Sequence, residues 1–506
     1  MTARSGIKGG VAAGHQETVS AAIAVLQAGG NAFDAAIAGF LAACVAEPVL
    51  SSLGGGGFLV ARTADNNISV FDFFTETPLR RPSPDAVDFH PVVADFGPAC
   101  QEFHIGLGAA ATPGAVAGVF AVHGALGRIP LAEIAAPAIE LARRGLSVDP
   151  FQAYLLKVVA PIYSATALAR QQFCRATAEE GEGKVMIAGD HYATPNFADF
   201  LYALVREGPE LFYQGDVAGR ICAMDGCAFG RDDLARYQVE RRAALDSNIA
   251  GHRVFLNPPP SIGGALIDFN LRQLDAYPFT AETFGSPQHV DALVSSMAVC
   301  NQARIESNID FDPLQGAAAL QGLEGHPPAY RGTTHISVVD ADGNMAALTS
   351  SNGEGCGHIV PGTGVMLNNM LGEDDLNAQG FFNWREGVRL SSMMSPGVLV
   401  SPNGTWLAFG SGGSNRIRSA LTQLIVNLCI FGQPVEAAVS SPRLHLEGQK
   451  LSLEPGLDAA MQTQFEIERW PARNMFFGGT HVVSMSSDGV ISGAGDPRRD
   501  GVFRLA

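Results

Sequence analysis

Gly332-Thr333-Thr334-His335-Ile336-Ser337-Val338-Val339 sets a Gly-Thr junction directly before an alternating strand. If the Gly332–Thr333 bond breaks, Thr333 becomes an N-terminus. It then carries a hydroxyl nucleophile and its own base, the α-amine, on one residue. The α-amine has a pKa near 7.7–8.0, so a useful fraction is neutral at physiological pH. An internal threonine has an amide nitrogen there and no base. The same hydroxyl can drive the cleavage by attacking the Gly332 carbonyl. The dipeptide alone is a weak signal, because β-branched residues are common at strand starts. His335 in that strand reads as a packed residue sooner than as a base.

The pattern on both sides supports a strand-rich second part. Residues 335–339, the turn Asp340-Ala341-Asp342-Gly343-Asn344 and residues 345–349 read as a hairpin. Val398-Leu399-Val400, a turn through Asn403-Gly404 and residues 405–409 read as another. A third pairs 480–485 with 489–491, and a helix is expected over 418–431. Upstream, 322–331 carries Gly325, Pro327 and Pro328 and reads as an exposed linker. Residues 130–320 are mostly helical in pattern, broken by Asn257-Pro258-Pro259-Pro260-Ser261-Ile262-Gly263-Gly264, which is an ordered loop or strand end.

The first hundred residues alternate helix and strand. Residues 17–27 form a helix stopped by Gly29-Gly30, and Asn31 N-caps an alanine-rich helix over 32–45. Gly54 to Gly57 enters a strand and pairs across Asn66-Asn67 with residues 68–73. It is no phosphate cradle, since neither Gly-Lys-Ser/Thr nor G-x-G-x-x-G spacing follows. Hairpin-paired strands with helices outside them indicate a layered α+β fold.

Composition excludes several classes. The 506 residues carry a net charge of −17, 47% hydrophobic and 16% charged residues, and 58 glycines. That describes a small-residue-rich globule with no basic surface for nucleic acid or anionic membrane. No apolar run reaches membrane-span length, and 35–46 reads as a buried helix. Met1 to Ala22 shows no basic segment followed by an apolar one, so no signal peptide and a cytoplasmic location are expected. Eight scattered cysteines without a C-x-x-C pair argue against a zinc site or disulfide framework. No metal or organic cofactor is expected.

Gly410-Ser411-Gly412-Gly413-Ser414-Asn415-Arg416 lies between a strand and a helix, where adjacent N–H groups can hold an oxyanion or simply turn the chain. Ser391-Ser392 is isolated polarity in an apolar loop, suited to a ligand carboxylate or to a turn. Together with residues 26–36, 53–58, 112–118, 258–264, 333–340, 367–369 and Gly495-Asp496-Pro497-Arg498, these segments resemble, in order, the γ-glutamyltranspeptidase family of N-terminal-nucleophile hydrolases.

That resemblance implies a four-layer αββα fold and self-cleavage at Gly332–Thr333. A large subunit, 1–332, and a small one, 333–506, would together form one domain. Thr333 falls on the nucleophile and Ser351 on a hydroxyl that hydrogen-bonds it. Gly412 and Gly413, with Ser414 as a further choice, fall on the oxyanion donors. Ser391 and Ser392 fall on the pair holding a γ-glutamyl α-carboxylate, Asn352 near a substrate-binding asparagine, and Glu373 or Asp374 near the acid holding the α-amine. Where the family has an arginine for the α-carboxylate, this chain has Phe74, with Arg80 and Arg81 nearby as stand-ins.

The implied activity is hydrolysis or transfer of γ-glutamyl amides such as glutathione or its conjugates, with water or an amine as acceptor. An acylase of the cephalosporin-acylase type is the alternative. An uncleaved, non-catalytic relative is a further one. The expected partners are small molecules and the two subunits of one precursor, with a homo-oligomer left open.

Overall fold

The junction strand lies inside a seven-stranded antiparallel sheet in the computed structural model. The structure describes residues 6–95, 100–175, 184–307, 309, 312–319, 332–377, 379–457 and 465–506. The strand order is Val502–Leu505, Gly9–Ala13, Thr334–Asp340, Met345–Ser351, Gly56–Arg62, Ile68–Phe73 and Glu240–Arg242. A second, six-stranded sheet runs Ile491–Ala494, Gly479–Met485, Trp406–Gly412, Gly397–Val400, His252–Leu256 and Leu245–Ile249. Segments from both sides of residue 332 contribute to both sheets. The expected subunits could not fold as separate domains with these sheets intact.

Period-two alternation sorts the junction strand between layers. Ile336 and Val338 join the core beneath the helices. Val339 joins Val60, Ala347, Phe255, Val398, Ala408 and Val483 between the sheets. The helices Gln16–Gln27 and Ala32–Ala46 cover the outer face of the first sheet. In the second helix only Cys44 is not fully buried, and small side chains let it lie close: a Cβ on Gly39 would stand 3.3 Å from Ile336 Cδ1. Its start is built as the sequence implies. Asn31 Oδ1 accepts from the Phe33 and Asp34 amides while Asp34 Oδ2 accepts from the Asn31 amide. Asp340 Oδ2 accepts from Ala32 N at 2.9 Å, tying the far end of the junction strand to the helix N-terminus. Gly263–Asp275, Pro287–Glu306 and Arg416–Cys429 supply the helical layer on the second sheet. The result is helix, sheet, sheet, helix, as expected.

Three departures bear on the site. The middle of the chain is not only helical: Glu240–Arg242 and Leu245–Ile249 each form an edge of one sheet, and His252–Leu256 pairs inside the second. Polar residues hid the two edge strands, because edge strands keep an exposed face. Gly410 to Gly412 belong to the strand Trp406–Gly412 itself, and the helix after it runs Arg416–Cys429, two residues earlier than expected. The linker expected over 322–331 lies outside the described residues.

Candidate active site

The hairpin register pairs Thr334 with Ser350, which brings Ser351 beside the junction. Ser351 Oγ donates to the Gly332 carbonyl oxygen at 2.7 Å. The Gly332 amide donates to Glu354 Oε1 at 2.7 Å, and Arg499 Nη1 donates to the Thr333 carbonyl oxygen at 3.1 Å. One residue on, Thr334 Oγ1 donates to Glu47 Oε2 at 2.7 Å, and Thr18 Oγ1 donates to Glu47 Oε1 at 2.7 Å. The Gly332–Thr333 bond is therefore held from both sides. It is also buried, with Thr333 only 3% exposed. Intramolecular attack needs alignment and not access, so the exposure expected of the junction is not required. A side chain on Gly332 would meet the carbonyl oxygens of Val49 and Gly353 at 2.9 Å, which explains the glycine.

Gly412 closes on the junction from the second sheet. A Cβ there would stand 2.1 Å from the Thr333 carbonyl oxygen. Gly413 follows with φ +128°, a conformation few side chains tolerate. Ser414 is also left-handed, at φ 56°, and its Oγ donates to Asp375 Oδ2 at 3.4 Å. His335 stays out of this group. Its ring nitrogens engage Thr349 Oγ1 at 2.7 Å and Ser337 Oγ at 2.8 Å. Burial, then neighbouring His481, hold its pKa well below the ordinary value, so it is a neutral framework residue.

The residues expected to hold substrate divide. Asn352 is fully buried, with Oδ1 unpartnered among the described residues. Ser391 Oγ likewise has no partner among them, and Ser391 faces a cavity with Pro260, Asn377 and Arg389. Ser392 does not: its Oγ accepts from Met394 N at 3.1 Å, and its carbonyl accepts from Ile262 N and Ser261 Oγ. It anchors the loop before Gly263–Asp275. Glu373 turns back beneath Gly353, whose Cβ would lie 2.0 Å from Glu373 Oε1, and Asp374 is exposed. Asp375, which sequence reasoning did not single out, is the acid that reaches Ser414. Nothing in three consecutive acids marks which one reaches Ser414.

Phe74 is buried and stacked on Phe58, with ring centroids 5.5 Å apart. Its carbonyl oxygen accepts from Arg389 Nη1 and Tyr237 Oη, each at 2.6 Å. Arg389 is the guanidinium of this region, and it too was not singled out. It pairs with Asp72 at 3.5 Å and Glu76 at 3.1 Å and sits over the Tyr237 ring at 4.8 Å. Burial lowers its pKa, but Tyr237, Asp72 and Glu76 outweigh that and hold it above the ordinary value. Arg80 and Arg81 are exposed, and Arg81 is tied to Trp384 O and Glu386. Neither replaces the missing arginine.

Arg499 differs from Arg389 in having no ion pair among the described residues. Burial, then the nearby Arg416 charge, push its pKa down to about 10. Glu47 goes the other way, its carboxyl raised by burial against its hydroxyl partners and His15. Among the described residues no group of three or more His, Cys, Asp or Glu could hold a metal ion.

A family model described as Gamma-glutamyltranspeptidase matches residues 18–323 and 303–505. The glutathione hydrolase proenzyme of Escherichia coli (strain K12) is 29% identical over 525 residues, 94% of this chain and 87% of that one. The acylase ACY 1 proenzyme of Pseudomonas sp. (strain V22) is 29% identical over 535 residues, 98% of this chain and 93% of that one. The crystal structure of cephalosporin acylase from Bacillus halodurans superposes with a TM-score of 0.78, covering 100% of this chain and 97% of that one at 23% identity, a likeness of fold.

Proposed function

Since the chain belongs to the gamma-glutamyltranspeptidase family of N-terminal-nucleophile enzymes, we propose that it is a self-processing hydrolase or acyltransferase whose nucleophile is Thr333. The observation that carries this reading is the Ser351 hydrogen bond to the Gly332 carbonyl. A donor on that oxygen polarises the carbonyl and stabilises the oxyanion formed on attack. Thr333 Oγ adds to the Gly332 carbonyl carbon, and the carbon–nitrogen bond breaks. The acyl group passes to oxygen and the α-amine is freed. Water cleaves the ester, leaving a Gly332 carboxylate and subunits 1–332 and 333–506.

In turnover the α-amine accepts the Oγ proton as the hydroxyl attacks a substrate amide. Backbone N–H groups of Gly412 and Gly413 receive the oxyanion. The approach of Gly412 to the Thr333 carbonyl supports that role. The α-ammonium returns the proton to the leaving amine, and water or another amine resolves the acyl-ester. Ser351 stays as the positioning hydroxyl. A cytoplasmic location belongs to this proposal, supported by the cysteines that are free among the described residues, Cys44, Cys174, Cys222, Cys227, Cys300, Cys356 and Cys429.

The first substrate class is γ-glutamyl amides such as glutathione. Ser391 Oγ would donate to the α-carboxylate, and Asp375, in place of Glu373 or Asp374, would take the α-amine. A second reading, an acylase for a different acyl group, is favoured by Phe74 together with an Arg389 already committed to Asp72 and Glu76. A bidentate clamp on a carboxylate needs an uncommitted guanidinium. Assaying a γ-glutamyl anilide beside glutaryl and aliphatic anilides separates the two. Turnover of the first alone supports the γ-glutamyl reading, and turnover confined to the others rejects it. An absence of turnover and of acyl-enzyme on Thr333 with all three rejects both.

A further inference from the structure

We infer that Glu47 is a positioning residue for the proposed nucleophile: a carboxylate of the large subunit that grips Thr334 and so holds Thr333 in place once the chain is cut. This rests on the proposed function and concerns what fixes that site after cleavage. In the uncut chain Ser351 and Glu354 grip Gly332, and their hold reaches Thr333 through the peptide bond. Cleavage severs that link, and both contacts stay with the end of the large subunit. Thr333 must then be fixed from its carboxyl side.

Arg499 supplies one contact there, donating to the Thr333 carbonyl oxygen at 3.1 Å. On one edge of the strand Thr334 pairs with Ser350. On the other edge Gly9–Ala13 stops short: Ala13 pairs with Ile336, two residues beyond Thr334. Glu47 takes over where that strand ends. Its Oε2 accepts from Thr334 Oγ1 and its Oε1 from Thr18 Oγ1, each at 2.7 Å. Gly14 leaves room for it, since a Cβ there would stand 2.8 Å from Glu47 Oε2. Glu47 supports the first contact as well. Burial and the Arg416 charge lower the Arg499 pKa, and Asp496 and Glu47 are acids that oppose this.

The position is a poor one for a carboxylate on grounds of stability. Glu47 is 1% exposed and caps the C-terminal end of Ala32–Ala46, where the helix dipole disfavours negative charge. His15 favours its charge, and Asp149 opposes it. What a carboxylate gains there is two acceptor oxygens on one side chain. They tie Thr18, on the helix Gln16–Gln27, to the second residue of the small subunit.

The test uses the cleaved enzyme and whichever of the γ-glutamyl, glutaryl and aliphatic anilides the wild type turns over. Thr334→Val removes the hydroxyl at nearly constant shape, and Thr334→Ser keeps it. Thr334→Val should still cleave itself on a gel, because Gly332 holds Thr333 in the precursor. Its kcat should fall about ten- to a hundredfold, the scale of a nucleophile displaced by about 1 Å. KM should stay within about twofold, since the two buried side chains engage each other and not the substrate. Thr334→Ser should recover most of the kcat. Glu47→Gln, which can accept from only one of the two hydroxyls, should lower kcat in the same sense, and it decides the matter if Thr334→Val does not cleave. Wild-type kcat in cleaved Thr334→Val or cleaved Glu47→Gln overturns the inference, and so does a Thr334→Ser no faster than Thr334→Val. Failure of both Thr334→Val and Glu47→Gln to cleave overturns it too, because the contact then serves the precursor and not the mature nucleophile. A wild type that turns over none of the three anilides removes the proposed function, and this inference with it.

Discussion

Ser351 Oγ donates a 2.7 Å hydrogen bond to the carbonyl oxygen of Gly332, the acyl oxygen of the bond that Thr333 must break. Removing a donor from a developing oxyanion costs about 10²–10³ in rate where it has been measured. Ser351→Ala should therefore slow self-cleavage by roughly that factor, while Ser351→Thr keeps the hydroxyl and most of the rate. A gel time course of freshly purified protein reads both. Equal rates for Ser351→Ala and wild type would show that this bond plays no part in cleavage.

Glu354 holds the other side of the same residue, accepting from the Gly332 amide at 2.7 Å. Glu354→Ala leaves that buried N–H without its acceptor, a penalty of about 1–3 kcal/mol. Processing should slow by roughly ten- to a hundredfold, with the folded state retained in circular dichroism. Mature enzyme that does form should keep near-normal kcat, because Gly332 is no longer bonded to the nucleophile.

Phe74→Arg should not restore a γ-glutamyl clamp. Phe74 is packed on Phe58 in the core, with Arg389 already at its carbonyl oxygen. Burying a second guanidinium there should cost roughly 3–5 kcal/mol and lower the melting temperature steeply. Phe74→Leu should cost far less. A stable Phe74→Arg protein with raised γ-glutamyl turnover would contradict this packing.

How much of this was legible without coordinates depended on the kind of signal. The hairpin after Thr333, the Asn31 cap and the buried alanine helix follow from periodicity and local hydrogen bonding, and their edges fall within a residue or two of expectation. Thr333, Ser351 and Gly412 came from the family resemblance; the structure sets Ser351 Oγ on the Gly332 carbonyl and Gly412 against the Thr333 carbonyl. The edge strands Glu240–Arg242 and Leu245–Ile249 were missed because exposed edges carry polar residues. Arg389, Asp375, Glu354 and Arg499 were missed for a different reason. Each acts through a contact with residues far along the chain, such as Asp72, Ser414, Gly332 and Thr333, and no local pattern announces it. Ser392 shows the converse: two adjacent serines look alike in sequence, but only Ser391 keeps an open hydroxyl.

Acid should destabilise the fold through its buried neutral histidines. Burial lowers the pKa of His289 and of His481 from 6.5 to about 4. The unfolded chain takes up these protons below about 6.5, and the folded chain holds them off until about 4. Unfolding then binds protons in that window, so stability falls as pH drops through it. The slope approaches about 1.4 kcal/mol per pH unit for each histidine. Glu47, raised by burial, opposes this by its own share. Urea midpoints measured from pH 7 to 4 should fall steadily, and a flat profile would show that these histidines are not buried neutral.

Self-cleavage at one bond is the central claim, and N-terminal sequencing with intact mass of the purified, incubated protein tests it most directly. The expected result is two chains, the smaller beginning Thr333-Thr334-His335-Ile336 and ending at Ala506. Thr333→Ala should give one full-length chain under the same conditions. A wild type that stays a single 506-residue chain, or a small chain that begins elsewhere, would contradict the account.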